Sequence, residues 1–221
     1  MRLLVCLTMA IALMNDAAFA QAPPKGPVSA AKSTPPDADD DKAWAFSASA
    51  YTYVVPDDRA YVQPTVTADR GWLHLEARYN YEAIKTGSLW LGYNFGFGKK
   101  LAFEVTPMFG GVFGDITGLA PGYTISISYE PIEFFTQGEY FFDAGNRSGN
   151  FFYSWSELSC APVTWFRAGI VLDRTRALGS NFEIRRGPLV GFKYRNVDLT
   201  TYWLSPGSRD ATFIFTVALN F

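Results

Sequence analysis

Ionisable side chains in this sequence fall at every second position of extended-looking stretches, and they divide by sign along the chain. Glu104, Glu133, Glu139 and Asp143 form one block, Arg167, Arg185, Lys193 and Arg195 the next, and Arg78 stands earlier beside His74 and Glu76. Two chemistries fit such groups. Paired carboxylates can act as general acid and base, and opposed charges across an enclosed space can select ions. The first is limited by His74, the one histidine: a serine–histidine site needs an imidazole in reach of the nucleophile and an acid to orient it. A histidine-based metal centre lacks a second histidine or paired cysteines. Gly92, Gly96 and Gly98 have no helix after them, so they make no phosphate loop. No catalytic residue, metal ligand or cofactor is assigned.

Where the charges point depends on the elements that carry them. In "GWLHLEARYNYEA", Leu73, Leu75, Ala77, Tyr79 and Tyr81 alternate with His74, Glu76, Arg78, Asn80 and Glu82. "SLWLGYNFGF" sets Leu89, Leu91, Tyr93, Phe95 and Phe97 against Ser88, Trp90, Gly92, Asn94 and Gly96, and "YTISISYE" repeats the pattern. A strand turns successive side chains to opposite faces, so one face is apolar and the other polar. No stretch of residues 43–221 shows a helical period. Alternating segments fall at 43–55, 59–69, 71–84, 87–98, 100–112, 121–130, 132–143, 150–158, 162–173, 182–195, 197–205 and 210–221. That is about twelve strands of membrane-crossing length, with ten or fourteen as alternatives. Short turns follow the even-numbered strands. The longer connections, "GVFGDITGLAPG" and "RTRALGSN" among them, lie on the other side. Pro64, Pro107 and Pro188 fall inside strands and call for bulges or shifted boundaries. Cys160 falls in the turn "ELSCAP".

The N-terminus reads differently. Arg2, the apolar run Leu3 to Met14 and Ala18-Phe19-Ala20 match a signal peptide over residues 1–20, cleaved after Ala20. Residues 21–42 hold no aromatic and are rich in Pro, Ala and Asp, the composition of a disordered linker. The chain carries 19 Phe, 12 Tyr and 6 Trp at a formal net charge of −2, which argues against nucleic acid as a partner.

A soluble β-sandwich would bury the apolar face between two sheets. Lipid suits it better here: the polar face is crowded with small residues and glycine, and lysine, which blunts the edges of soluble sheets, is scarce. In lipid every backbone group must be paired, so an all-β span closes on itself. The last residues, "TFIFTVALNF", place Phe213, Phe215, Val217, Leu219 and Phe221 on one face and end on an aromatic. This stretch resembles the C-terminal signature of bacterial outer-membrane β-barrel proteins, and residues 43–221 are similar to that class in pattern. The resemblance implies export to the outer membrane, contact with its lipid and lipopolysaccharide, and an assembly machinery that reads Phe215, Val217, Leu219 and Phe221. A homo-oligomer is compatible with it, since aromatic outer faces serve lipid and a neighbouring barrel alike.

The expected fold is all-β: a single closed antiparallel transmembrane barrel over residues 43–221. By parity its lumen holds His74, Glu76, Arg78, Glu82, Glu104, Glu130, Glu133, Gln137, Glu139, Asp143, Arg167, Asp173, Glu183, Arg185, Lys193, Arg195 and Asp198. Acids and bases then face each other obliquely, as a transverse field or as ion pairs that plug the interior. Arg186 has outward parity near a strand end, at the level of headgroup or lipopolysaccharide phosphates. The expected role is a small passive channel for ions or small polar solutes. A closed, surface-binding barrel using loops 112–121 and 174–181 is the alternative, and a carboxylate enzyme the third. Enzymes of this class meet their substrates at the outer leaflet, whereas His74 sits by the opposite turn.

Overall fold

Alternating side chains leave one way to satisfy both faces, and the chain takes it. The computed structural model describes residues 43–56 and 59–221. The signal peptide expected over 1–20 and the linker expected over 21–42 lie outside them. The strands are β1 (Ala45–Val54), β2 (Tyr61–Arg70), β3 (Leu73–Tyr79), β4 (Thr86–Tyr93), β5 (Phe95–Phe97), β6 (Ala102–Gly114), β7 (Gly118–Tyr129), β8 (Ile132–Asp143), β9 (Phe151–Val163), β10 (Phe166–Ala177), β11 (Glu183–Tyr194), β12 (Val197–Leu204) and β13 (Thr212–Asn220). Apart from β4 and β5, sequence neighbours pair antiparallel, and β1 pairs with β13 from Ser47↔Asn220 to Val54↔Phe213. β4 and β5 both pair with β6 and form one wall strand interrupted at Asn94. The result is a closed twelve-stave antiparallel barrel.

Five tight turns (71–72, 98–101, 130–131, 164–165 and 195–196) lie at the end that holds both termini of the barrel. The described ends of the β1–β2 connection (55–56 and 59–60) and the connections 80–85, 115–117, 144–150, 178–182 and 205–211 lie at the other, the loop end. Outward side chains are large and apolar around the wall: Leu89, Leu91, Phe109, Leu119, Phe192, Leu199, Phe215 and Val217 are all exposed. Aromatic pairs mark the terminal rim, with Trp72 stacked on Tyr93 and Trp165 on Phe192. This is the outer surface of a barrel made for lipid. Phe221 exchanges backbone hydrogen bonds with Phe46, so the last residue is tied to the first strand.

Several expectations are corrected. The connection read as 112–121 is mostly strand, since β6 runs to Gly114 and β7 starts at Gly118; the other surface loop, read as 174–181, shrinks to 178–182. The three prolines need no bulges. Pro64↔Ala50, Pro107↔Tyr123 and Pro188↔Ile170 keep continuous register, each giving up only its own N–H. The one register shift among β9 and β10 falls between Phe166 and Ala168 instead. Cys160 lies within β9, opposite Ile132 of β8, and not in a turn.

Tyr81 changes face. Asn80 takes a left-handed φ of 57°, which breaks the alternation after β3. Its side chain donates to the Val62 carbonyl at 2.9 Å and accepts from the Lys85 N–H at 2.8 Å. The loop 80–85 therefore folds inward and buries Tyr81 and Glu82 in the mouth of the barrel.

Leu91 faces out near the middle of its stave, so Leu91→Arg is expected to cost about 2–4 kcal/mol of folding stability in lipid vesicles, read by urea titration.

Candidate functional site

The lumen is built around arginine. Arg78 extends from β3 and donates through Nη1 to Glu139 Oε2 of β8 at 3.0 Å, while its Nε binds Glu76 on its own strand. Three staves separate β3 from β8, so the side chain forms a chord across the interior. Along the way its Nη2 meets Met108 Sδ at 3.5 Å. Its guanidinium carbon lies 4.2 Å from the Tyr81 ring centroid and 4.3 Å from that of Trp90. Burying such a charge is costly unless carboxylates and aromatic faces replace water. Here two carboxylates and two rings do so.

Trp90 lies against the wall because the wall has no side chains there. A β-carbon at Gly110 would approach the indole to 2.5 Å, and one at Gly122 to 2.9 Å. The indole N–H donates to Ser88 Oγ at 2.9 Å, and Ser88 donates to Glu82 Oε1 at 2.6 Å. Gln137 donates to the Tyr81 hydroxyl at 2.8 Å. These contacts tie the inserted loop to β4 and β8.

A second centre is an acid. Glu157 of β9 accepts from the Trp155 indole at 2.8 Å, the Tyr202 hydroxyl at 2.9 Å and Arg167 at 3.1 Å. Arg167 also donates to Thr200 at 2.8 Å and lies 3.7 Å from Asp198. Arg185 pairs with Asp173 on the neighbouring strand. At the terminal end His74 holds Asp69 at 2.7 Å on Nδ1 and Glu76 at 3.2 Å on Nε2. Both ring nitrogens thus face carboxylates, and neither addresses a serine hydroxyl. Asn94, at the interruption between β4 and β5, donates to Asp69 at 2.8 Å and joins this cluster; the gap lies opposite Pro107 and Thr106 of β6, and Pro107 has no N–H to give.

The expected lumen residues fall into three groups. Arg78, Glu139, Arg167 and Arg185 come together in these networks. Glu104 and Glu133 sit half-buried on the inner wall toward the terminal end, and Lys193 is exposed there. Asp143 and Arg195 act elsewhere. Asp143 ends β8 and caps the next loop, accepting from the N–H groups of Gly145 and Asn146 at 2.7 and 3.0 Å. Arg195 leaves the lumen because β11 stops at Tyr194. It occupies a turn with φ of 53°, its guanidinium 5.4 Å from the Tyr194 ring.

The division of acids from bases is also less sharp than the sequence blocks suggest, because Glu157, Asp173 and Asp198 sit among the arginines. Sequence reading missed Glu157 and the inward aromatics. Tyr53, Tyr153, Trp155 and Tyr202 are 0% exposed and, with Tyr51, Leu189 and Ile214, fill the lumen from its middle to the loop end. Their signal was parity: Tyr153, Trp155 and Glu157 share one face of β9, where aromatics in a barrel sequence read most readily as lipid-facing.

No family model matches the chain, and no curated protein matches it. Among solved structures it is similar to KdgM porin, at 9% identity and a TM-score of 0.55 over 79% of this chain and 98% of that one. KdgM porin in complex with disordered oligogalacturonate gives the same values. The chain has the fold of an outer-membrane porin-like barrel. A BenF-like porin from Pseudomonas fluorescens Pf-5 is matched at 7% identity and a TM-score of 0.42, over 77% of this chain and 58% of that one.

Gly110→Val is expected to displace Trp90, with a loss of about 1–3 kcal/mol in stability and a shifted tryptophan emission. Gly96→Val, where a β-carbon would meet nothing within 4 Å, serves as the silent control.

Proposed function

We propose that this barrel is a narrow outer-membrane channel for small cations and small polar solutes. The observation that carries the reading is the charge of the inner wall. Asp69, Glu76, Glu104, Glu133, Glu139, Glu157, Asp173, Glu183 and Asp198 have inward strand positions, against Arg78, Arg167, Arg185 and Lys193 with His74. The bases are shared out among the acids: Arg78 serves Glu76 and Glu139, and Arg167 serves Glu157 and Asp198. Acids thus outnumber bases at the inward strand positions, and acidic linings favour cations. Glu104, Glu133, Arg167 and Asp198 are only half-buried, which makes the terminal end a charged vestibule. The constriction is the Arg78–Glu139 chord with its aromatic neighbours. The fold shared with a porin is consistent with this role, as is export across the inner membrane by the signal peptide read over residues 1–20. The barrel needs no catalytic residue or cofactor for it.

The same ion pairs favour a second reading, a closed barrel with a structural role, because paired charges and buried aromatics fill the middle of the lumen. Conductance of the folded chain in a planar bilayer decides between them, with and without residues 21–42. A channel gives steady steps with a reversal potential on the cation side, and Arg78→Ala enlarges the steps by removing the chord. Steps seen only without residues 21–42 identify that segment as a plug. Silence in every form, with folding verified by heat-modifiable gel mobility, rejects the channel.

A further inference from the structure

Closure of the barrel leaves two features near the terminal end unexplained, and both concern Arg167. The first is the register shift between β9 and β10. Phe166 pairs with Val163 and Ala168 with Cys160, so β9 carries one residue more than β10 over this stretch, and Ala161 and Pro162 together oppose Arg167. A bulge of this kind twists the strand locally and re-aims the side chain beside it. The second is Gly191 of β11, which stands between Arg167 on one neighbouring strand and Thr200 on the other.

The glycine at 191 answers to a side chain and not to the backbone. At Gly169 and Gly187 an added β-carbon would run into main-chain atoms, 2.2 Å from the Leu158 carbonyl oxygen and 1.7 Å from that of Trp203. Those two glycines let strands approach. At Gly191 the three nearest atoms all belong to side chains: Arg167 Nε at 2.7 Å, Arg167 Cγ at 2.8 Å and Thr200 Oγ1 at 3.0 Å. Its φ lies outside the left-handed region, so no turn demands a glycine there either. The Arg167 side chain therefore crosses β11 lying flat on Gly191, and its Nη2 reaches Thr200 at 2.8 Å. In that position Nη1 donates to Glu157 at 3.1 Å and Nη2 lies 3.7 Å from Asp198.

We infer that Gly191 is a selectivity-determining residue of the lumen, acting through Arg167. Any side chain at 191 takes the space that Arg167 now fills and lifts the guanidinium off the wall, away from Glu157 and Asp198. An arginine held against the wall by two carboxylates adds little field to the vestibule. One that stands in the aqueous space repels cations and draws anions. With Arg167 lying flat, a passing ion meets the acid excess of the inner wall. Gly191 touches no ion itself; it is a positioning residue, and its role rests on the channel reading above.

The test compares the folded full chain with Gly191→Ala and Gly191→Val in a planar bilayer under a potassium chloride gradient. Both variants are expected to fold, because the atoms in the way belong to a flexible side chain and Glu157 keeps its Trp155 and Tyr202 donors. The reversal potential is expected to move toward the anion side, with the cation-to-anion permeability ratio lowered about threefold or more by one unit charge beside an aqueous path. Gly191→Val/Arg167→Gln is expected to return toward the cation side. Gly96→Val, which adds bulk where a β-carbon meets nothing within 4 Å, is expected to leave the potential unchanged. A second readout needs no current: labelling of Arg167 by phenylglyoxal, followed by mass spectrometry, is expected to rise severalfold in both single variants. An unchanged potential in a conducting variant, or a shift that persists without Arg167, overturns the selectivity role. Labelling no faster than in wild type overturns the placement of Arg167 by Gly191, and so does failure of Gly191→Ala to fold, which makes the glycine a requirement of the barrel itself. Silence from wild type overturns the channel reading and the selectivity role with it, while faster labelling of the variants still supports the positioning.

Discussion

A backbone in lipid has no water to hydrogen-bond, and most of this structure answers that constraint. Each stave must find a partner on both sides, which turns a row of hairpins into a ring and makes the β1–β13 pairing obligatory. Once the ring closes, alternation sorts the side chains: leucine and phenylalanine outward, serine, threonine and charge inward. The prolines within β2, β6 and β11 are tolerated for the same reason, since one missing donor in a continuous ladder costs less than a slipped register that would turn every later side chain to the wrong face.

Inside the ring the problem is electrostatic. A twelve-stave lumen is wider than the filled interior of about eight strands and narrower than the aqueous channel of 16–18. Side chains from one wall therefore reach those of another, and long arginines can span the space. Each cation in the middle of this lumen is placed where more than one acceptor converges. Arg78 lies between two carboxylates and two rings, and Arg167 between Glu157, Asp198 and a threonine. The aromatic residues belong to this arrangement. The Trp155 indole and Tyr202 hydroxyl both donate to Glu157, so the rings fill volume and supply polar partners together.

Much of the fold was legible in the sequence because period-two patterning is local and strong. β8 was placed over its full span, and His74, Glu76 and Arg78 were assigned to the inner face where they lie. The misreadings came from residues that break the period. Asn80, in a left-handed conformation, ended β3 early and sent Tyr81 inward, while the strand to Tyr194 left Arg195 in a turn. The site was less legible than the fold. Which carboxylate meets Arg78 depends on how the staves are arranged around the ring, and no spacing along the chain encodes that Glu139, with three staves between, is the one. Glu157 and its aromatic partners escaped notice because an aromatic in a membrane strand has two equally good destinations, and parity relative to a charged neighbour is the only local clue.

The ring also has a history written into its connectivity. Every pairing but one joins staves adjacent in sequence, while Ser47 must find Asn220 from almost the opposite end of the barrel sequence. The entropic cost of long loop closure is concentrated in that single pairing. Before it forms, β1 and β13 expose two rows of unpaired backbone groups, the edges along which chains stick to one another. The vulnerable species in the life of this protein is therefore the open sheet, and its lifetime is set by how quickly the last strand is brought to the first.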